Sequence, residues 1–416
     1  MARCLSLMAA AAACLLVAPI AAQAQNPAQI ELTRDVRRNA ELAQQAISQN
    51  NFQGASGYLA QANSQARSDG DRYLIASLEL DVANRTFNRG GQLAAIDKLV
   101  SNALVTDEQR AVLYYHRGRI TYHEQDQEAA RNALRQAIER GSTHPRTYIA
   151  LASLEGDRQN WPSALQLYEQ AASIMERGGQ PVPVDWYRRA IDLAQRVGNP
   201  AKATELSQQL VRGYPSARNW RDVLNYYRDI GNPDPIAALD SWRLQSATGA
   251  LFGETDYRDY AQAAAAAQQP GEVVRVIEAG RAANMLDGTN DVINGLLRTA
   301  QRTADAARGR LDQRATAAQG AATGADALAV ADDYLGFGNY AQAAALYRTA
   351  LEKGGVDAAL VNSRLGMALA LIGSPAEARA ALDQVGGDRG WMARFWGIYA
   401  DSLPIPAANA VTPAGE

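Results

Sequence analysis

Residues 338–350 read Gly-Asn-Tyr-Ala-Gln-Ala-Ala-Ala-Leu-Tyr-Arg-Thr-Ala, and residues 160–171 read Asn-Trp-Pro-Ser-Ala-Leu-Gln-Leu-Tyr-Glu-Gln-Ala. In both stretches an Asn and an aromatic residue precede an alanine, a tyrosine and a second alanine at the same spacing. Alanine and a large residue four positions apart lie on one helix face, where the alanine lets a second helix approach closely. Gly and Asn are typical of the tight turn between two helices. The pattern therefore predicts a helix pair.

The same pattern recurs along the chain. Its anchoring alanines are Ala55, Ala95, Ala130, Ala164, Ala203, Ala343 and Ala378. A period near 34 residues is typical of stacked helix pairs, which bury surface only against their neighbours. Runs of alternating β-branched and aromatic residues are nearly absent. The closest one, at 273–277, lies within a helical pattern, so we predict helix there as well.

The helix preceding each turn also carries a recurring set of residues. Tyr148, Leu151 and Ala152 form it in one copy, and Tyr114 and Gly118 form part of it in another. This arrangement resembles the tetratricopeptide repeat family, which places an aromatic, a large aliphatic and a small residue in the first helix of each pair. The resemblance implies an all-α protein, a right-handed α-solenoid of helix-turn-helix repeats with a concave groove.

The quality of the match varies along the chain and predicts five segments. They are a signal peptide at 1–24, an N-terminal solenoid at 25–245, divergent repeats and a connector at 246–325, a C-terminal repeat pair with a capping helix at 326–400, and a disordered tail at 401–416. The stretch 303–325 has Leu311 as its only large apolar residue. Such a stretch is either a solvated helix or a flexible connector.

The first residues have the three parts of a secretory signal peptide. Arg3 precedes an apolar run from Leu5 to Ile20, and Ala22-Gln23-Ala24 provides small residues for cleavage. We therefore expect a periplasmic or secreted protein, cleaved near Ala24. Both cysteines, Cys4 and Cys14, lie in the removed segment, so the mature chain would have no disulfide and no thiolate chemistry. Lipidation of Cys14 is the alternative for this segment.

The net charge argues against one class of partner, nucleic acid, and the hydropathy argues against a membrane span. The chain has 41 Lys and Arg residues against 44 Asp and Glu residues, a formal net charge of −3. This balance argues against nucleic-acid binding through bulk charge. After the signal peptide, no stretch approaches the roughly 18 apolar residues that a membrane span needs. We therefore expect no integral membrane span.

The sequence contains no complete catalytic or metal-binding motif, so we predict that the protein is not an enzyme. His116 and His123 lie seven residues apart on one helix face, but two ligands are fewer than metal sites usually need. The glycines at 336 and 338 match a dinucleotide-binding pattern only superficially, because a helix rather than a strand precedes them. We predict no catalytic residue, no cofactor and no metal.

The resemblance also implies which side chains face the concave groove. The candidate binding residues are Tyr115, Arg119, Tyr122, His123, Arg188, Arg196, Arg221, Asn225 and Arg228. Arginine binds carboxylates with two hydrogen bonds, and tyrosine offers a flat apolar face with a hydroxyl group. Such a groove would bind an acidic or extended peptide segment. In the alternative interpretation, these arginines pair with Asp and Glu of neighbouring repeats.

Three functional hypotheses remain open at this point. The leading one is a non-enzymatic periplasmic scaffold or adaptor of the cell envelope that acts through protein–protein interaction. The second is an accessory subunit that binds an anionic envelope polymer, exopolysaccharide or peptidoglycan, in a secretion or synthesis complex. The third is an enzyme with an unrecognised site. The sequence identifies neither the partner nor the oligomeric state.

Overall fold

The structure, a computed structural model, describes residues 31–231 and 233–404. These residues form 21 α-helices and the short 3₁₀ helix Gly387–Arg389, with no strand among them. The all-α prediction is thereby confirmed, including helix at 273–277. The predicted signal peptide with both cysteines, and the tail from 405 onward, lie outside the described residues. The chain divides into two compact units, of which the first ends at Val182 and the second begins at Pro183.

Unit 1 contains four consecutive helix pairs. They are α1 (Arg34–Ser48) with α2 (Phe52–Gln65), α3 (Asp69–Arg85) with α4 (Arg89–Val100), α5 (Asp107–His123) with α6 (Gln127–Glu139), and α7 (Pro145–Asp157) with α8 (Trp161–Arg177). The first helix of each later pair also packs against the last helix of the pair before it. This is the nearest-neighbour packing of helical repeats.

The two helices of a pair are joined by one kind of turn. In the first pair Asn50 adopts a left-handed backbone with φ of 57°, and the N–H of Asn51 donates to the carbonyl of Ala46 at 2.8 Å. The Asn51 side chain then accepts from the N–H of Gly54 and caps the second helix. A left-handed residue with a bond back to the last helical turn is a common helix ending. Asn160 and Asn339 occupy the same N-cap position, without a side-chain capping bond.

The anchoring alanines are at most 1% exposed, as the close approach of paired helices requires. In six of the seven copies the alanine lies four residues after the cap of the second helix. In the α3–α4 pair, however, the residue four positions after the cap Asn88 is Gln92, and Ala95 lies three residues further on. The α3–α4 pair thus departs from the repeat pattern.

Unit 2 contains thirteen α-helices. They are α9 (Val184–Arg196), α10 (Pro200–Gly213), α11 (Ala217–Gly231), α12 (Pro235–Ala247), α13 (Gly253–Ala266), α14 (Pro270–Ala282), α15 (Asp291–Arg308), α16 (Leu311–Gly320), α17 (Ala325–Gly336), α18 (Tyr340–Lys353), α19 (Ala358–Ile372), α20 (Pro375–Leu382) and α21 (Gly390–Asp401). The pairs α9–α10, α11–α12, α13–α14, α17–α18 and α19–α20 pack as consecutive helices.

The stretch 303–325, where helix and connector were both open, is largely helical. It comprises the end of α15, all of α16 and a short non-helical link. Helix α15 packs against α14 and α16 packs against α17, while α17 also packs directly against α14. Leu311 is 3% exposed. The one large apolar residue of this stretch therefore does contribute to the core.

The last helix, α21, packs not only on α19 and α20 but also on α10 and α12. Phe395 and Trp396 are fully buried, and the Phe395 ring lies 6.2 Å from the Trp220 ring. The Trp396 indole N–H donates to the backbone carbonyl of Asp240 at 3.2 Å. The bulky residues of α21 thus join the two ends of unit 2. The domain boundaries predicted at 245 and 325 stay predictions.

Candidate functional site

The candidate site of unit 1 is built on helix α5. A capping box at Thr106 and Gln109 fixes the start of the helix. Gly118 faces α6, where a Cβ would lie only 2.7 Å from Cγ of Leu134, so the two helices approach closely at this point. One face of α5 is thereby committed to its partner helix. The predicted residues Tyr115, Arg119 and Tyr122 lie at a spacing of four and three residues, on another face.

Tyr115 is the centre of an aromatic and cationic cluster. Its ring stacks on the His144 ring with centres 5.0 Å apart, and the Arg119 guanidinium carbon lies 5.9 Å from the Tyr115 ring centre. Tyr122 and His123 form a second, edge-on ring contact at 6.2 Å. All four residues predicted for this copy of the repeat therefore lie along one part of α5. Arg119 and Tyr122 are half-buried, and His123 is exposed.

Beside this surface, α3, α4 and α5 enclose a cavity of about 570 Å³. This volume falls in the range of roughly 300–1,000 Å³ that is typical of small-molecule sites. Its apolar wall consists of Leu80, Ile96, Leu113 and Ile120. Its other lining residues are Asn84, Phe87, Asn88, Arg89, Gln92, His116, Arg119 and His123. We refer to this space as the α3–α5 cavity.

The permanently charged side chains described in the lining of the α3–α5 cavity are positive. Arg89 and Arg119 line it, whereas no Asp or Glu is among the described residues that do so. Burial, together with the positive charges of Arg119 and His144, lowers the pKa of His116 to about 4. His116 is therefore neutral at pH 7, and the charge of the cavity comes mainly from its arginines. An anion in the cavity would meet cations and no carboxylate.

In unit 2 the predicted arginines contact carboxylates and polar groups of the same unit. Arg221 donates to both oxygens of Asp256, at 2.8 and 3.0 Å, and this pairing raises its pKa. Arg196 donates to Asp192 at 2.9 Å. Arg188 donates to Asn219 at 2.9 Å. For these three side chains the local contacts agree with the interpretation that the charges are paired within the repeats.

Arg228 and Asn225 also belong to an internal network. Arg228 donates to the Asn225 side chain at 2.5 Å and to the Ser241 hydroxyl at 3.0 Å, and its guanidinium carbon lies 3.5 Å from the Trp242 ring centre. Burial lowers the pKa of Arg228 to about 10. The structure thus brings Asn225 and Arg228 together, but in a contact with α12. Their role in binding a partner stays a prediction.

Sequence reasoning missed the cavity residues Phe87 and Gln92. The repeat assigned to this region was anchored on Ala95, which hid the turn at Asn88. The signal that identifies them is the Asn that caps the second helix: Asn88 corresponds to Asn51, so Phe87 corresponds to Asn50 and Gln92 to Ala55. Aligning the copies on their caps, rather than on their alanines, would have shown that both residues are unusual.

Among the described residues there is neither a metal-binding cluster nor a membrane-spanning helix. Over residues 31–231 and 233–404, no cluster of three or more His, Cys, Asp or Glu side chains is placed to hold a metal ion. None of the helices in these ranges has the length and apolar character needed to span a bilayer.

No family model matches the chain, and no curated protein matches it. Solved structures do match. A tetratricopeptide repeat protein from Parabacteroides merdae is 14% identical, with 65% of this chain and 100% of that chain covered and a TM-score of 0.33. MamA from Desulfovibrio magneticus is 10% identical over 44% of this chain and 96% of that one, with a TM-score of 0.31.

The structure of Naa15/Naa10 bound to HypK-THB matches 86% of this chain at 12% identity, with a TM-score of 0.40, and the match spans 64% of that chain. These identities and TM-scores are too low to support an argument about function. The assignment of the repeat therefore depends on the packed pairs, their capped turns and their buried alanines. The helix pairs have the helix-turn-helix fold of tetratricopeptide repeats. The resemblance noted in the sequence is confirmed at this level.

Proposed function

We propose that the protein is a non-enzymatic interaction scaffold that acts in the periplasm after export, where it binds an acidic or extended peptide segment on helix α5. The observation that supports this role is the cluster of Tyr115, Arg119, Tyr122 and His123 beside a cavity lined by no described carboxylate. Helical repeats commonly use such surfaces to bind extended chains. Tyrosine and arginine are the residue types most enriched in binding hot spots.

The unit 2 arginines are less suitable for this role. Arg221 holds Asp256, whose side chain is only 4% exposed, so a partner carboxylate would have to compete with an existing two-point contact. Arg119 has no such competitor in the cavity that it lines. We therefore assign the peptide-binding surface to α5 and expect the unit 2 arginines to contribute mainly to folding.

The test is a binding measurement on the purified full chain with fluorescent ten-residue peptides. An Asp/Glu-rich peptide should bind, and a Lys-rich peptide of the same length should not. The double variant Tyr115→Ala/Arg119→Glu should weaken binding at least tenfold, and raising the salt concentration should weaken wild-type binding because ions screen charges that solvent can reach. Arg117→Glu is the matched control, since Arg117 lies on the same helix but contacts Asp97 instead.

The outcomes separate the hypotheses. Equal binding of the acidic peptide to wild type and to Tyr115→Ala/Arg119→Glu would show that the α5 surface is not the site. Binding of soluble alginate, with no binding of the acidic peptide, would replace this proposal by the envelope-polymer alternative. A periplasmic location is tested independently by fractionating cells and by comparing the mass of the mature chain with cleavage near residue 24.

A further inference from the structure

The turn between paired helices contains one residue with a left-handed backbone, which is glycine or a polar residue in seven of the eight described pairs. In eight helix pairs this residue is Asn50, Phe87, Gln125, Gln159, Gly198, Gln268, Gly338 or Gly373. Glycine adopts this conformation without strain, and Asn does so more readily than other residues. Phe87 is the one apolar residue at these eight turns, with φ of 52°.

Phe87 is unfavourable for two independent reasons. A side chain with a Cβ is strained in the left-handed region, and Phe87 shares this strain with Gln125, Gln159 and Gln268. The Phe87 side chain also gains little from burial, because 87% of its surface is exposed to solvent. A large apolar residue that is both strained and exposed has no folding benefit to explain it. Such combinations are typical of functional positions.

The second departure from the repeat lies in the same helix pair. Gln92 occupies the position that is alanine in other copies, and its side-chain amide donates to Asn84 at 3.0 Å. Phe87, Gln92 and Asn84 all line the α3–α5 cavity. The two breaks in the repeat pattern therefore coincide at the α3–α5 cavity.

The lining of the α3–α5 cavity defines the chemistry of a ligand. Leu80, Ile96 and Leu113 are each less than 9% exposed to solvent and form an apolar wall. Arg89 and Arg119 supply two permanent positive charges, which no described carboxylate in the lining neutralises. The volume exceeds that of a single protein side chain and suits a small molecule. The complementary ligand has an apolar body and one negatively charged group.

We propose that the α3–α5 cavity binds a small anionic amphiphile, an acyl chain that ends in a carboxylate. The carboxylate contacts Arg119 and Arg89, the chain lies along Leu80, Ile96 and Leu113, and the Phe87 ring covers it from the solvent side. This binding activity goes beyond the proposed scaffold function and requires no protein partner. Each buried methylene should raise the affinity about fourfold, so affinity should rise steeply with chain length.

The test uses isothermal titration calorimetry of the purified full chain with dodecanoate below its micelle concentration. We expect one molecule bound per chain. Butyrate should bind at least a hundredfold more weakly, because it lacks most of the chain. Dodecyltrimethylammonium, which has the same chain and the opposite charge, should bind at least tenfold more weakly.

Variants of Phe87, Arg89 and Arg119 locate the site, because none of these three side chains is fully buried. Phe87→Ala and the double variant Arg89→Gln/Arg119→Gln should each weaken dodecanoate binding at least tenfold. Arg117→Gln, a control on the same helix, should leave it unchanged. Circular dichroism spectra that match wild type would confirm that each variant is folded.

Three results would overturn the proposal: no binding, binding of several molecules that no variant affects, or equal affinity for the cationic analogue. An acidic peptide that binds the cavity residues while dodecanoate does not would show that the occupant is a protein side chain, and would also refute the proposal. A negative dodecanoate result would not contradict the peptide-binding proposal, because the Tyr115→Ala/Arg119→Glu variant is measured with peptide alone. Failure of the peptide assay likewise leaves the dodecanoate result standing.

Discussion

Arg119 of unit 1 and Arg221 of unit 2 were both predicted from the repeat to face a partner, yet they lie in different surroundings. Arg221 donates two hydrogen bonds to Asp256 on α13. Arg119 lies against the Tyr115 ring and lines a cavity without a described carboxylate. The position within a repeat determines which way an arginine points. Whether its charge is already neutralised depends on the next helix, which the repeat pattern does not specify.

Unit 2 also pairs charges in its interior. In unit 2, Arg243 is 5% exposed and donates to Glu272 at 2.7 and 2.9 Å and to Asp240 at 2.9 Å. The Tyr260 hydroxyl also donates to Glu272, at 2.7 Å. Burial raises the pKa of Glu272, but the charge and hydrogen bonds of Arg243 outweigh this effect and lower it overall. Unit 2 therefore uses its charges to hold helices α12, α13 and α14 together.

The largest effect is expected from breaking this buried network. Glu272→Ala leaves the Arg243 guanidinium buried without its main partner, so the free energy of unfolding of unit 2 should fall by about 3–5 kcal/mol. Urea denaturation followed by tryptophan fluorescence measures this, because unit 2 holds Trp186, Trp220, Trp242, Trp391 and Trp396.

The matched control for Glu272→Ala is Glu278→Ala, the same change at an exposed position of the same helix. It should alter the free energy of unfolding by no more than about 0.5 kcal/mol. If Glu272→Ala costs less than about 1 kcal/mol, the buried charges contribute little to the stability of unit 2.

The second prediction compares the two arginines directly. Arg221→Ala removes both hydrogen bonds from a carboxylate that is almost fully buried, so unit 2 should lose about 1–3 kcal/mol. Arg119→Ala should change the stability of unit 1 by less than about 0.5 kcal/mol. Hydrogen exchange with mass spectrometry measures both, because it reports α11–α13 and α5 separately in the full chain. Equal losses in the two units would contradict the assignment of Arg119 to binding.

The third prediction is a pH dependence confined to unit 1, which contains all three histidines, His116, His123 and His144. The His116 pKa is about 4 in the folded protein, against about 6.5 in an unfolded chain. The unfolded state therefore binds more protons between these values, and stability must fall as the pH drops from 7 to 4.5. Arg119 on the same helix and His144 before α7 are the charged or titratable groups that act on it.

The expected loss in unit 1 is about 1–2 kcal/mol over this pH range, allowing for partial solvent screening. Hydrogen exchange of α5 and α6 at several pH values measures how steeply the stability of unit 1 falls as the pH drops. His116→Gln should reduce this pH dependence, and His144, whose pKa burial also lowers, should account for part of what remains. His123→Gln, at an exposed position, is the matched control and should leave it unchanged. A pH dependence of α5 that His116→Gln does not reduce would mean that His116 does not carry it.

These contrasts also show what the sequence can reveal. The helix pairs, the capped turns and the buried alanines were predictable, because they depend on residues close together in the chain. The pairing of Arg221 with Asp256 was not, since it joins residues 35 positions apart on helices whose packing the repeat leaves open. The contact of Trp396 with the carbonyl of Asp240 spans 156 positions and was equally hidden.

The candidate site was half predictable for the same reason. Tyr115, Arg119, Tyr122 and His123 follow from one helix face, which a repeat pattern specifies. The α3–α5 cavity depends on how three helices meet around Gln92, where a larger residue replaces the usual alanine. In the sequence, the cavity is indicated only by an alignment of the turns, which places Phe87 at the position of Asn50.

The smallest effect, and the one with the opposite sign, is expected at Phe87. Phe87→Gly removes the left-handed strain of about 1–2 kcal/mol but adds about 0.5–1 kcal/mol of backbone entropy in the unfolded chain. Unit 1 should therefore become more stable by about 0.5–1 kcal/mol. Phe87→Ala keeps the Cβ and hence the strain, so it should be close to neutral, and Phe87→Asn should fall between the two. Hydrogen exchange of α3 and α4 in the full chain measures the stability of these three variants.

If the Phe87 ring served folding, all three variants would be less stable than wild type. A gain in stability from the glycine, accompanied by lost dodecanoate binding, would instead show that the chain retains a strained aromatic residue at this turn for the ligand.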